Sequence, residues 1–242
     1  VIGTVGIELA HTASLVSDDI IDRDTLRRGK PSLYVEKGIE VAILISQKML
    51  ALGFDIALDR GINFVELYVE TWNDALSGEL LEIEINKREF FSVPLFSTYL
   101  KIIEKKTSSI FASACKAGAL EANASSKIVR ILGEYGKEVG IAYQLADDLV
   151  DLCNGEGLES VILPLLNRID KDDVNNISKR DIEKKILEHE KEIKTFFIRE
   201  IKNRVKKAEK LIKTSPLPDS IYKELLSQAP KYIVNKMLQS ID

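Results

Sequence analysis

Six aspartates fall into two groups of one form. Ser17-Asp18-Asp19-Ile20-Ile21-Asp22 and Ala146-Asp147-Asp148-Leu149-Val150-Asp151 both read D-D-x-x-D. On a helix the first and last carboxylates of such a group stack one turn apart, with the second about 100° round. Like charges at that spacing weaken a helix by roughly 0.2–0.5 kcal/mol per pair. At ~6 Å in an effective dielectric of 20 the bare repulsion is about 3 kcal/mol. Neither group contains a basic residue, and both interrupt apolar stretches. An external cation answers that charge. Mg²⁺ fits, because it takes one or two carboxylates and completes its octahedron with water and phosphate oxygens. Zinc does not fit: His11 and His189 lie outside both groups, and neither group holds a thiol. One such group alone would read as an exposed acidic helix turn, but two in one chain point to a built site. Asp172-Asp173, in a Lys- and Asn-rich stretch, reads as a solvated turn.

Basic residues follow the first group. Arg27 and Arg28 stand about one and a half helical turns beyond Asp22, and guanidinium binds phosphate oxygens in a bidentate fashion. Carboxylates that hold a metal, beside arginines that hold phosphate, are what a Mg²⁺–diphosphate complex requires. Taken alone, the arginine pair also suits a helix C-terminus.

The elements that carry these residues read as helices. Six prolines punctuate long periodic stretches, and helices are expected at about 2–27, 39–59, 62–87, 93–122, 127–152, 159–169, 178–214 and 219–239. Gly29 and Pro31 are the expected stop of the first helix. Strand-type alternation is not sustained anywhere, so the expectation is an all-α helical bundle with a central cavity, one domain over 1–242. Residues 1–10 read as the middle of a helix without an initiator Met, which leads us to expect further helices upstream. From Arg168 to Lys213 charge is dense and apolar residues thin to a stripe, as on a solvated amphipathic helix.

Composition bounds the partners. Of 242 residues 45% are hydrophobic and 30% charged, with Lys+Arg 34 against Asp+Glu 38 and a net charge of −4. A dedicated nucleic-acid binder would show a basic excess. No apolar run approaches the roughly 20 residues that span a bilayer, so no transmembrane segment is expected. Cys115 and Cys153 form neither a disulfide framework nor a metal knuckle, in keeping with a reducing, cytoplasmic setting.

The motifs together resemble those of the trans-isoprenyl (polyprenyl) diphosphate synthases. Residues Glu8 to Asp22 followed by Arg27-Arg28-Gly29 are similar to that family's first aspartate-rich motif, and Tyr143 to Asp151 to its second. Between them Lys105-Lys106-Thr107-Ser108-Ser109-Ile110-Phe111 looks like its lysine–threonine motif. The resemblance runs to about residue 152, more weakly through Leu163-Pro164-Leu165. It implies Mg²⁺-dependent head-to-tail condensation of isopentenyl diphosphate with an allylic diphosphate. Asp18, Asp22 and Asp147 would be the principal metal ligands, with Asp19, Asp148 and Asp151 in or just behind that set. Arg27 and Lys106 would grip the allylic diphosphate, and Arg28 and His11 would reach isopentenyl diphosphate. Lys106, Thr107 and Gln144 would be the catalytic groups, the last two presenting oxygen dipoles to the developing carbocation. The family resemblance also implies a homodimer, for which the apolar face of about Ile62–Ile85 offers a surface.

Product length follows from helix geometry. Ala13 and Ser14 precede Asp18 by about 6–7.5 Å of helix. A large aromatic there would stop an elongating tail, and both are small, so the expected product is geranylgeranyl diphosphate or longer. The chain departs from the family in places. Its upstream glycine–lysine–arginine segment is not in the sequence, Ser17 stands where many members have His, and its glycine–glutamine element is Gly78-Glu79. No Lys lies between Asp151 and Lys171, and Asn154-Gly155-Glu156-Gly157 reads as a loop. Two other readings use the same residues: a non-catalytic partner subunit of a heteromeric synthase, and a terpene cyclase, whose second motif usually differs from Asp147-Asp148-Leu149-Val150-Asp151.

Overall fold

Among the described residues the long periodic stretches close as helices, and most breaks fall where a glycine, a proline or a left-handed residue lets the chain turn. The computed structural model describes residues 2–86, 96–154 and 179–239. It places α1 at Ile2–Asp22, α2 at Leu33–Lys37, α3 at Ile39–Arg60 and α4 at Ile62–Asn86. Next come α5 at Phe96–Ile103, a π turn at Glu104–Ser108, α6 at Ser109–Glu121 and α7 at Ser126–Asn154. The last helices are α8 at Lys179–Glu188, α9 at Glu190–Lys213 and α10 at Ile221–Leu238. The strands β1, Leu26–Arg27, and β2, Lys30–Pro31, pair antiparallel and are the only strands among the described residues. The fold is all-α, as expected. The expected helix at 159–169, the loop from Gly155, the Leu163-Pro164-Leu165 stretch and the Asp172-Asp173 pair lie outside the described residues.

Several boundaries differ from the expected ones. The first helix ends at Asp22 rather than at Gly29. Arg23 takes a left-handed φ of 62° and Asp24 N donates to Asp19 O at 2.9 Å, a Schellman-type closure that needs no glycine. Gly29 instead shares with Arg28 the tight turn of the β1–β2 hairpin. Their φ values of 74° and 52° match the type I′ geometry that two-residue hairpins prefer. The stretch expected as one helix over 178–214 breaks at His189, and α9 restarts with Glu190 and Glu192 in its first turn, where acids favour the helix dipole. Pro230 sits inside α10, not between helices.

The expectation about membrane-spanning length needs correcting. α3 is long and apolar enough, by length and composition, to cross a membrane. Its charged residues interrupt the apolar run without lowering the average enough to exclude it. Only Ala42, Ser46, Gly53 and Ala57 of this helix are buried.

The described residues form two compact units, those within 1–72 and 116–124 and those within 73–115 and 125–242. In the first, α1 crosses α3 at small residues. A Cβ on Gly53 would come within 2.6 Å of the Tyr68 hydroxyl oxygen and 2.9 Å of Gly6 O. Two turns further, Ser46 Oγ donates to Ala13 O at 3.0 Å and meets Ser17 Oγ at 3.1 Å. These contacts fix the last turns of α1, where the first aspartate group lies.

In the second unit α7 is the central helix. Ile141, Ala142, Leu145, Ala146, Leu149 and Leu152 recur at helical spacing and are buried against Ile193, Phe197 and Ile201 of α9. Phe96 meets Phe196 edge-on at 5.0 Å, which seats α5 on the same core. Fully burying one such side chain stabilises the fold by about 1.5–3 kcal/mol. Pro230 has no N–H for the carbonyl four residues back, which is Leu226 O. That carbonyl accepts from the Tyr135 hydroxyl of α7 at 2.8 Å, so the proline inside α10 leaves no orphan acceptor there.

Candidate active site

In the first unit the aspartate group occupies the C-terminal turn of α1. That turn contains no basic residue, and a helix C-terminus is itself negative. The hairpin supplies the missing charge by doubling back: Arg27 Nε lies 2.5 Å from Asp19 Oδ1, and Asp19 is 3% exposed. One N–H of the guanidinium makes this bond, and the group carries four more donors. Arg28, at the turn, is exposed. In the middle of α1, His11 is half-buried, and its Nδ1 is buried with no hydrogen-bond partner. Ala13 is fully buried, while Ser14 is half-buried and donates to His11 O at 2.8 Å.

In the second unit the lysine–threonine motif lies on the π turn, a local widening of the helix often found at functional sites. Glycines on two helices let this turn sit close. A Cβ on Gly78 of α4 would lie 2.6 Å from Lys106 N, and one on Gly140 of α7 would lie 2.7 Å from Ser108 Cα. Ser108 Oγ then donates to Lys137 O at 2.8 Å. The approach of α4 sets acids against the lysines. Lys105 Nζ is 2.7 Å from Asp74 Oδ1, and Lys106 Nζ is 2.6 Å from Glu79 Oε2 and 2.7 Å from Glu82 Oε2. Burial alone would lower the Lys106 ammonium, but Glu82 and Glu79 outweigh it and raise the group above the ordinary lysine value.

A line of hydrogen bonds joins this turn to the second aspartate group. Thr107 Oγ1 donates to Gln144 Oε1 at 2.8 Å, and Gln144 Nε2 donates to Asp148 Oδ1 at 3.0 Å. The Tyr99 hydroxyl donates to Asp148 Oδ2. Burial pushes the Asp148 carboxyl up to about 7, against the opposing pull of Tyr99 and Gln144 and with help from Asp147 and Asp151. Burial also raises Asp147, while Gln144 pulls it down. Burial and the neighbouring Asp148 raise Tyr99 well above the usual phenol value, so it is a donor at any ordinary pH.

The two aspartate groups thus share a feature. In each, the middle carboxylate is engaged by protein donors: Asp19 by Arg27, Asp148 by Tyr99 and Gln144. Among the described residues no three His, Cys, Asp or Glu side chains converge into a ready-made metal cage. Mg²⁺ does not need one, since it binds through one or two carboxylates plus phosphate and water, and the oxygen-only donor sets here suit it.

Lys106, Thr107, Gln144 and Asp148 are brought together in one unit, and Asp18, Asp19, Asp22 and Arg27 in the other. Tyr99, Glu82 and Asp74 are the residues that sequence reasoning missed. The interior glycines 78 and 140 were the available signal, because glycine inside a helix marks a close approach.

Residues 2–158 fit the family model described as polyprenyl synthetase. The chain is 34% identical over 158 residues to a geranylgeranyl diphosphate synthase of Methanosarcina mazei, covering 63% of this chain and 48% of that protein. It is 33% identical over 158 residues to a nonaprenyl diphosphate synthase of Mycobacterium tuberculosis, covering 65% and 46%. The crystal structure of a decaprenyl diphosphate synthase from Rhodobacter capsulatus superposes with a TM-score of 0.83 at 22% identity, over 96% of this chain and 78% of that one, which shows a shared fold. The chain spans about half the length of the relatives it matches in sequence. With the family model covering well over half of its residues, the chain belongs to the polyprenyl synthetase family.

Proposed function

We propose that the protein is a Mg²⁺-dependent polyprenyl diphosphate synthase. It adds isopentenyl diphosphate head to tail to an allylic diphosphate and makes geranylgeranyl diphosphate or a longer product. The observation that carries this reading is the line Thr107–Gln144–Asp148, which ties the lysine-bearing turn to an acidic helix turn within one packed unit. Relatives named for products from geranylgeranyl to nonaprenyl diphosphate support it.

The roles follow from what each group can do. Asp18, Asp22, Asp147 and Asp151 are the outer carboxylates and would hold Mg²⁺. Asp19 and Asp148 stand behind them, anchored by Arg27 and by Tyr99 with Gln144. Bound Mg²⁺ supplies Lewis-acid neutralisation of the diphosphate leaving group. Arg27 and Lys106 hold the allylic diphosphate through charge-assisted hydrogen bonds. Arg28 and His11 are assigned to isopentenyl diphosphate, and the unpartnered His11 Nδ1 is a buried polar atom that a ligand would satisfy. Thr107 and Gln144 orient oxygen dipoles toward the allylic carbon as positive charge develops there. No covalent intermediate with Ser, Cys or Lys is required. The exposed apolar residues Ile62, Val69, Leu76 and Leu80 on α4 support a homodimer, and the free thiols of Cys115 and Cys153 suit a cytoplasmic setting. Ile85, at the end of the expected face, is 4% exposed and belongs to the interior.

The test is incorporation of labelled isopentenyl diphosphate by the purified full-length protein, primed with farnesyl diphosphate, with and without Mg²⁺. Products of twenty carbons or more that require Mg²⁺ are expected. A folded protein that incorporates nothing with any allylic primer would overturn the reading in favour of a non-catalytic partner subunit.

A further inference from the structure

Lys106 faces more negative charge than it needs. Glu79 and Glu82 lie three residues apart on α4, hence on one face of that helix, and both carboxylates reach the same ammonium at 2.6 and 2.7 Å. The Lys106, Glu79 and Glu82 side chains are 28%, 11% and 21% exposed, so water screens these charges poorly. One acid would neutralise and orient the lysine. The second leaves the cluster with a net charge of −1, which opposes any approaching anion. The missing side chain of Gly78 lets α4 touch the backbone of Lys106, which brings both acids within reach of the ammonium.

We propose that Glu79 is a positioning residue that limits diphosphate affinity: with Glu82 it latches Lys106, and an allylic diphosphate must draw the ammonium away from Glu79 to bind. Glu79 is the closer of the two acids and the more buried. Gln at this position would keep the shape of the side chain without competing as a charge. The site is thereby tuned to weaker diphosphate binding and faster release than one carboxylate would give. The inference rests on the proposed reading of Lys106 as a diphosphate-binding residue.

The experiment is calorimetric titration of inorganic pyrophosphate, at fixed Mg²⁺, into the full-length protein and its Glu79→Gln, Lys106→Ala and doubly substituted forms. Glu79→Gln is expected to tighten binding by about threefold to tenfold, a range typical of one partly screened charge. The gain should shrink in the Lys106→Ala background, where Glu79 has no ammonium to hold and only its charge still repels the anion, and an undiminished gain there would overturn the latch. If Lys106→Ala weakens binding but Glu79→Gln does not tighten it, the latch is wrong while the reading of Lys106 stands. If the native protein and Lys106→Ala bind pyrophosphate equally, the reading of Lys106 fails and the latch with it. Should Glu79→Gln not fold, Glu82→Gln removes the same surplus charge and has the same expected direction.

Discussion

The Tyr99 hydroxyl donates to Asp148 Oδ2 while Gln144 Nε2 occupies Oδ1, so each oxygen of this carboxylate has a protein partner. Asp148 is thereby a strut between α5 and α7. Replacing Tyr99 by Phe removes one donor and nothing else. A buried acceptor deprived of its donor costs about 1–3 kcal/mol. Denaturant unfolding should show that loss. The Mg²⁺ concentration for half-maximal turnover in the proposed reaction should also rise, by up to roughly tenfold, because Asp148 stands behind the carboxylates proposed to hold the metal. An unchanged Mg²⁺ requirement in Tyr99→Phe would reduce the pair to a packing contact.

The same carboxyl makes stability depend on pH. Its folded value of about 7 lies above the ordinary value of 3.8. The folded protein therefore holds a proton that the unfolded chain has lost, between about pH 4 and pH 7. The associated stability is fully present below about pH 4 and is lost as pH rises through 7, by a few kcal/mol at most. Asp148→Asn removes this dependence. Unfolding midpoints of the native protein relative to Asp148→Asn, measured without Mg²⁺ from pH 4.5 to 7.5, should fall with rising pH. A constant difference would mean that Asp148 ionises like an ordinary aspartate.

Ala13 and Ser14, adjacent in sequence, should respond differently to enlargement. Ala13 is fully buried where Ser46 of α3 bonds its carbonyl, whereas Ser14 is only half-buried. Ala13→Phe should overpack the α1–α3 contact and lower stability by about 1–3 kcal/mol. Ser14→Phe should fold and shorten the product. Chromatography of dephosphorylated products checks the second effect, and an unchanged length in a stable Ser14→Phe protein would place the end of the chain path elsewhere.

Leu76 and Leu80 of α4 are 43% and 66% exposed. Apolar side chains so displayed at helical spacing suit an isologous partner. Light scattering should give a dimeric mass for the native protein and a monomeric one for the Leu76→Glu, Leu80→Glu double variant. A native monomer would remove the proposed dimer.

Much of the candidate site was legible as pattern. Asp18, Asp22, Asp147 and Asp151 declare themselves because charge repeated at i and i+4 in an apolar setting has no local explanation. The helices declare themselves because burial selects side chains every three or four residues, as along Ile141 to Leu152. What the tertiary structure alone decided concerns partners distant in sequence. Glycine is permissive rather than directive, so Gly29 fitted a helix stop or a hairpin turn equally well, and the hairpin that forms carries Arg27 back to Asp19. Pro230 should end a helix, yet Tyr135, ninety-five residues earlier, supplies the donor that lets α10 continue. Tyr99 carries no signature beside Asp148, and Glu79 shows its hold on Lys106 only when Gly78 brings two helices together. Sequence period reports which face of an element is buried. Which side chain satisfies a buried charge depends on the packing of separate elements, and that is set by the whole fold.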